Sequence, residues 1–333
     1  SDAVNSGSSA IYIAIKGLNL KPGSFVLVPP IIDPGAINAV IENDLKLWVI
    51  DTMNDSYNVS VDKIKECIEN DKKNLISAVL IAHISGEIVN FTKIKKICKR
   101  KKIRIIEDCS QAHGAEIKNI KVGNFGDISA FSLMSRKTIT ANGAAGMIYT
   151  KSKSLHRVCL AIADRGKPTW LGGYDQKDPS KNLFSSLNYN LDEISSAIGC
   201  VSMNKIKSTI KKRRELTEYL KNRVNNETKS VYINYNVTGS SPFVIPVFVK
   251  QFYNQDKLVK KLIAKKIPLN PNYKFLIINW EYLKNKLKGR HIVVNAKENI
   301  NKSFALYINE RYLKRHINYI VDTIKKIEKS CLK

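Results

Sequence analysis

The chain has no CxxC pair, no histidine at metal-ligand spacing, and no apolar run near the length needed to cross a bilayer. Its six cysteines (Cys67, Cys98, Cys109, Cys159, Cys200, Cys331) are scattered. Neither a zinc site nor a disulfide framework is expected, and a reducing cytoplasm suits such a chain. Apolar stretches such as Ala78 to Ala82, ending at His83, have the length of a buried strand, so no membrane span is expected. No internal repeat or disordered tract is evident and no signal peptide is expected at its start, so an ordinary globular chain is the expectation for these 333 residues.

Acidic residues are also scarce. Against 55 Lys and Arg there are only 29 Asp and Glu, a formal charge of +26. Such an excess raises nucleic acid as a partner. Here, however, the lysines are spread along a background rich in Ile and Asn. The densest cluster, Lys95-Lys96 with Lys99-Arg100-Lys101-Lys102, falls at the polar end of a helical pattern. A solvated face is expected there, with no nucleic-acid role.

What is present is an alternation of short apolar runs with amphipathic segments. Strands are predicted at 24–28, 47–50, 76–83, 103–108, 127–133 and 146–150. Helices are predicted at 8–15, 35–43, 61–70, 91–101 and 155–163, with one long helix from Asp192 to about Val224. This order predicts an α/β fold: a large unit at 1–235 with a mostly parallel sheet, then a smaller α+β unit at 236–333 with a strand at 243–249. Ligands gather at the carboxyl ends of strands in such sheets, and His83 and Asp108 stand at two of them.

The chemistry-bearing segment is 105–150. Glu107-Asp108-Cys109-Ser110-Gln111-Ala112-His113-Gly114 closes one strand, Phe131-Ser132 closes another, and Lys137 follows five residues later. A carboxylate, an amide, a hydroxyl and an amine on one scaffold are the groups needed to hold pyridoxal phosphate, by its pyridine nitrogen, phenolic oxygen, phosphate and aldehyde respectively. Taken alone, Asp108 also reads as a loop acid or helix cap. Lys137 is set apart by its position between Phe131-Ser132-Leu133-Met134 and Gly143-Ala144-Ala145-Gly146, where a desolvated amine becomes a nucleophile. Ser6-Gly7-Ser8-Ser9 before a helix reads equally as a plain cap or as a phosphate cradle.

Together these residues resemble the fold-type-I, pyridoxal-phosphate-dependent sugar aminotransferases of the DegT/DnrJ/StrS group. The resemblance is carried by Ser6 to Ala10, Pro29 with Asn38-Ala39, His83 with Gly86, Glu107 to Ala115, Gly123 with Gly126-Asp127, Phe131-Ser132 through Lys137, and Asn188-Tyr189-Asn190. It implies that Lys137 bonds covalently to the cofactor's aldehyde, that Asp108 pairs with the pyridine nitrogen, and that Gln111 meets the phenolic oxygen while Ser110 lies on one ring face. Gly7, Ser8, Ser9 and Ser132 would hold the phosphate, with Asn188 reaching it from a second subunit of a homodimer.

The implied reaction moves an amino group from an amino-acid donor, expected to be glutamate, to a keto group on a nucleotide-linked sugar. The rival readings are a dehydratase, against which Lys137 counts because such members replace the lysine, and a non-catalytic scaffold. The chain departs from the pattern at Ile31-Ile32-Asp33-Pro34-Gly35, where a ring-stacking aromatic is usual and His83 is the candidate substitute. It departs again at Ala145 and Asn190, in place of Gly and Arg.

Overall fold

The computed structural model describes residues 1–271, 273, 275–287 and 292–333. Nine strands fall in its first half: β1 (Asp2–Val4), β2 (Phe25–Val28), β3 (Lys46–Val49), β4 (Ile76–Ala82), β5 (Arg104–Asp108), the hairpin β6 (Glu116–Ile117) and β7 (Ile120–Lys121), β8 (Ile128–Ser132) and β9 (Gly146–Tyr149). Seven of them form one sheet in the order β1-β9-β8-β5-β4-β2-β3. The run from β3 to β8 is parallel, and β9 alone runs opposite to the other six strands, pairing antiparallel with β8 and β1. This is the mostly parallel α/β sheet that the alternating pattern predicts.

Strand β4 shows why the sheet is buried on both sides. Ala78, Leu80 and Ala82 enter one apolar cluster, whereas Val79 and Ile81 enter another, as a period of two requires; Ile76 joins the second cluster at the start of the strand, where the pairing with β2 shifts register. Helices α1 (Gly7–Gly17), α2 (Pro34–Ile41), α3 (Val61–Asn70), α4 (Thr92–Lys101) and α5 (Lys153–Ala163) supply those coverings. Four have a capping side chain: Ser6, Asp33, Ser60 and Ser152 accept from the N–H groups of Ser9, Gly35, Lys63 and Leu155, each cap contributing about 1 kcal/mol. Helix α4 buries Ile94, Ile97 and Cys98 and leaves Lys95, Lys96, Lys99 and Arg100 in water. The last three basic residues of α4 stand where its dipole is negative.

Two features differ from the sequence expectation. The short edge strand β1, antiparallel to β9, carries too few residues to show a period. The long helix expected at 192–224 is two helices, α6 (Glu193–Asn204) and α7 (Ile206–Glu227), broken at Lys205. The break follows a change of packing partner: in α6 the Ser202 hydroxyl receives the Thr140 N–H, whereas α7 sends Leu216, Leu220 and Val224 into a separate core.

That core belongs to a second, antiparallel sheet of β10 (Val231–Tyr232), β11 (Val244–Val249), β12 (Leu269–Asn270) and β13 (Ser303–Tyr307), in the order β10-β11-β13-β12. With α8 (Gln255–Ala264), α9 (Val294–Asn301) and α10 (Lys314–Ile327) it completes the chain. Strand β11 is apolar throughout because both faces are buried. Ile245, Val247 and Val249 pack under α7 and α10, while Val244 and Phe248 join the core of the large sheet. The two sheets therefore share apolar contacts. Asp51 strengthens the junction by accepting from the N–H groups of Asn295 and Ala296, at the start of α9.

Candidate active site

Three adjacent parallel strands, β4, β5 and β8, end at Ala82, Asp108 and Ser132, with His83 directly after β4, and the register pairs Ala82 with Asp108 and Asp108 with Ala130. The start of α1 lies against the end of β8, so closely that a Cβ on Gly7 would stand 2.6 Å from that of Ser132. Between them is a cavity of about 170 Å³ lined by Ser6, Gly7, Ser8, Asp33, His83, Asp108, Ser110, Gln111, Ser132, Lys137 and apolar neighbours. It suits one substituted ring; anything longer must extend through its mouth.

The amine is on a strained turn. Lys137 N–H donates to Met134 O at 3.1 Å, and Arg136 beside it has φ of 80°, a cost of order 1–3 kcal/mol that the surrounding packing must sustain. The Lys137 Nζ lies 4.9 Å from the centre of the Phe243 ring, which leads into β11. Desolvation holds the Lys137 pKa below that of a free lysine, opposed by the carboxylates of Asp108 and Asp33. An amine so placed gives up its proton more readily than a surface lysine.

Asp108 is buried at the end of β5, and Ser110 N–H donates to its Oδ1 at 3.0 Å. Burial raises its pKa, while Ser110 and Lys137 pull the other way. A carboxylate in this condition gains from a cationic partner at the cavity floor. Gln111 is oriented by its two bonds: Ser85 N–H donates to Oε1 at 2.8 Å, and Nε2 donates to Tyr273 Oη at 3.1 Å. Because an N–H claims the oxygen, the amide is left with donors to offer.

The start of α1 has no acidic residue in its first turn, and the N–H groups of Gly7 and Ser8 precede any intrahelical acceptor. Together with the neighbouring Ser132 this is a cradle for an anion. The Ser132 N–H itself donates to Ser110 Oγ at 3.1 Å, which ties β5 to β8 beneath the cradle.

His83 is fixed on both nitrogens. Val89 N–H donates to Nδ1 at 3.1 Å, so the ring proton is on Nε2, 3.3 Å from Glu107 Oε2. Burial pushes the Glu107 carboxyl up, but His83 and the N–H groups of Gly126 and Gly123 prevail and hold it below the usual range. His83, Glu107 and Cys109 are the one cluster of metal-ligating types among the described residues. Three backbone N–H groups and the imidazole already occupy the Glu107 oxygens, and burial keeps the Cys109 thiol protonated. The cluster is a hydrogen-bonded support for β4 and β5, and His83 also lines the cavity.

Of the residues expected at the site, the structure gathers Gly7, Ser8, Asp108, Ser110, Gln111, Ser132 and Lys137 around one cavity. Ser9 is beside it, but its hydroxyl donates to Asn5 and its N–H to Ser6. Asn188 is exposed and away from the cavity, accepting from Asn190 N–H at 3.0 Å. In place of the usual aromatic, Ile31 and Ile32 are buried in the core while Asp33 caps α2 and lines the cavity. The sequence reading missed Phe243 and Tyr273, both contributed from beyond residue 240. It also missed Arg213, whose guanidinium donates to Glu310 at 2.8 Å and to Pro242 O at 3.3 Å, next to Phe243.

The sequence profile of one family, the DegT/DnrJ/EryC1/StrS aminotransferases, matches residues 2–325. The chain belongs to that family. It is 27% identical over 280 residues to GDP-perosamine synthase of Escherichia coli O157:H7, a match covering 80% of this chain and 70% of that protein. It is 24% identical to the UDP-4-amino-4,6-dideoxy-N-acetyl-beta-L-altrosamine transaminase of Campylobacter jejuni, covering 97% and 84%. Among solved structures, an aminotransferase from Psychrobacter cryohalolentis superimposes with a TM-score of 0.88 at 18% identity, over 98% of this chain and 86% of that one. Escherichia coli GDP-4-keto-6-deoxy-D-mannose-3-dehydratase, with bound hydrated PLP, gives 0.87 at 23% identity, over 97% and 87%. At those identities the two structures speak for the fold, which this member of the family shares.

Proposed function

We propose that this family member transfers an amino group from an amino-acid donor, glutamate, to a keto group on a nucleotide-linked sugar. Its cofactor is pyridoxal 5'-phosphate. The observation that carries the reading is the cavity itself, where a desolvated lysine, a buried carboxylate, an amide presenting donors and an anion cradle converge at the carboxyl ends of three strands. The named transaminase relatives support the substrate class.

The cofactor, when bound, supplies an aldehyde for amines and a protonated ring that takes up electron density from the carbon losing its proton. The chain's residues do the rest. Asp108, already short of charge compensation, keeps a proton on the ring nitrogen. Gln111 offers an N–H to the phenolic oxygen. The Gly7, Ser8 and Ser132 end of the cavity would bind the phosphate, and so would hold the cofactor in the cavity that Lys137 also lines. Lys137, with its pKa lowered by burial, would take the proton from the donor's carbon and deliver it to the carbon that was the cofactor's aldehyde, acting as base and then as acid.

The dehydratase reading has a structural neighbour in its favour. The amine at Lys137 counts against it. For localisation we propose the cytoplasm; among the described residues no helix is long and apolar enough to cross a membrane. We also read residues 1–235 as the cofactor-binding unit and 236–333 as the smaller one.

The proposed assembly is a homodimer. Leu187, Ile194 and Val201 are 68%, 71% and 61% exposed, and Ile194, Ile198 and Val201 form a helical stripe on α6. An exposed apolar stripe of this kind is a common subunit contact, and it lies in the segment that carries Asn188, the residue proposed to complete a second subunit's phosphate site.

The deciding experiment is an absorbance spectrum of purified protein with pyridoxal phosphate, before and after glutamate. Conversion of a visible band to the pyridoxamine band supports amino transfer. A protein that acquires no visible band refutes the cofactor assignment.

A further inference from the structure

We propose that Tyr273 is a positioning residue of this site, holding the Gln111 amide so that it presents an N–H to the cofactor's phenolic oxygen. The inference rests on the pyridoxal-phosphate reading above and adds a residue from outside the family motifs quoted for this chain.

The bonds around Gln111 leave its orientation no freedom. Ser85 N–H must meet an acceptor, which assigns Oε1, and Nε2 then directs one hydrogen at Tyr273 Oη. The second hydrogen of Nε2 is the one available to a ligand. Without the tyrosine oxygen, the first hydrogen loses its acceptor, and the amide is held by a single bond about which it can swing.

Both supports of Gln111 are themselves held in place, Ser85 by the segment that leads into β11 and Tyr273 by Tyr57. Ser85 has φ of 65° and Gly86 has φ of 80°. Ser85 O accepts from Phe243 N–H and from the Tyr235 hydroxyl, each at 3.1 Å, while Gly86 O accepts from Ser241 N–H at 2.9 Å. A side chain on Gly86 would collide with Ser241 O, 1.8 Å from its Cβ. The turn that aims the Ser85 N–H is therefore clamped in an unfavourable conformation, as is common where function requires it.

Tyr273 is buried and stacked on Tyr57, with ring centres 5.1 Å apart and planes at 20°. Tyr57 is in turn fixed by its hydroxyl, 2.7 Å from Ser303 Oγ on β13. Burial pushes the Tyr273 hydroxyl up to about 12, so it is a neutral acceptor throughout the ordinary pH range.

The test compares pyridoxal phosphate with 3-deoxypyridoxal phosphate, which lacks the phenolic oxygen, by spectroscopic titration of the full chain. Tyr273→Phe keeps the ring and its stacking. It should weaken pyridoxal phosphate binding about 3- to 10-fold, the worth of one hydrogen bond, and leave the deoxy compound unchanged. Gln111→Leu should abolish the same preference, with no further loss in the double variant. Tyr57→Phe, which removes the bond to Ser303 but none to Gln111, should retain it. Equal weakening of both ligands in Tyr273→Phe, or of neither, overturns the positioning role while leaving the cofactor assignment intact. Parent protein that binds neither ligand overturns the cofactor assignment and this inference with it.

Discussion

Gly7→Ala separates two physical arguments that predict opposite signs. Gly7 opens α1 with helical backbone, and by propensity alone alanine there should stabilise the helix by up to about 1 kcal/mol. The space around it says otherwise. An alanine Cβ would stand 2.6 Å from the Ser132 Cβ and 3.0 Å from both its Cα and Oγ. Two of these three atoms belong to the head of a short side chain on a buried strand, and none can swing away as the tip of a lysine would. Overpacking of this kind costs about 1–3 kcal/mol, so the net expectation is a loss of up to about 2 kcal/mol once the propensity gain is subtracted. Urea unfolding of the cofactor-free protein should show a lower midpoint at unchanged slope. The same displacement parts Ser132 from the first N–H groups of α1, so the affinity for inorganic phosphate and for pyridoxal phosphate should fall together, by about tenfold for each 1.4 kcal/mol lost. Adding Ser132→Gly, which removes the Cβ and Oγ, should restore part of the stability. An alanine variant as stable as the parent would refute the close-approach argument.

Lys137→Ala should abolish the borohydride-reducible bond between protein and cofactor. Mass spectrometry of reduced, digested parent protein should find the adduct on the peptide holding Lys137, and an adduct on another lysine would remove its role. Asp108→Asn should keep measurable cofactor binding but lose most single-turnover activity, because a neutral amide cannot sustain charge on the ring nitrogen; near-parent rates would count against Asp108. His113 is buried, and desolvation followed by the Lys137 charge pushes its pKa from 6.5 down to about 3. The unfolded chain takes up a proton that the folded one refuses, so stability present above pH 6.5 should decline toward pH 3 with a contribution of about 1.4 kcal/mol per pH unit. His113→Gln should flatten that slope in urea titrations, and identical slopes would exclude His113 as its source. The basic charge should yield only weak DNA retention that moderate salt abolishes; sequence-selective binding at physiological salt would contradict this.

How much of the fold was legible depends on how many residues share one period. Helix α3 follows its sequence pattern from Val61 to Asn70, since a capping Ser60 and the inward Ile64 and Ile68 agree on one face. Strand β4 is equally plain, being apolar on both sides. The break at Lys205 was not legible, because the helical pattern continues through it and only the change of packing partner, from the segment at Thr140 to the core of the second sheet, marks it. Nor was β1, whose three residues are ordered by pairing with Met147 and its neighbours, a contact across more than 140 residues.

The candidate site divides along the same line. Asp108, Gln111, Ser132 and Lys137 are legible because they occur at strand ends and in one short stretch, so local order and chemistry coincide. Phe243 and Tyr273 have no such context: each is one aromatic residue among many, and its significance lies in what the second sheet is packed against. That packing gives the C-terminal part of the chain a role in the chemistry. The ring of Phe243 faces the Lys137 amine, and its backbone N–H holds the turn at Ser85 whose own N–H sets the Gln111 amide. One residue of the second sheet's lead-in thus touches both the amine and the support of the amide. Any shift of that sheet against the large one must disturb the two together, so the apolar junction of Val244 and Phe248 with the large-sheet core sets the geometry of the cavity as well as the stability of the fold.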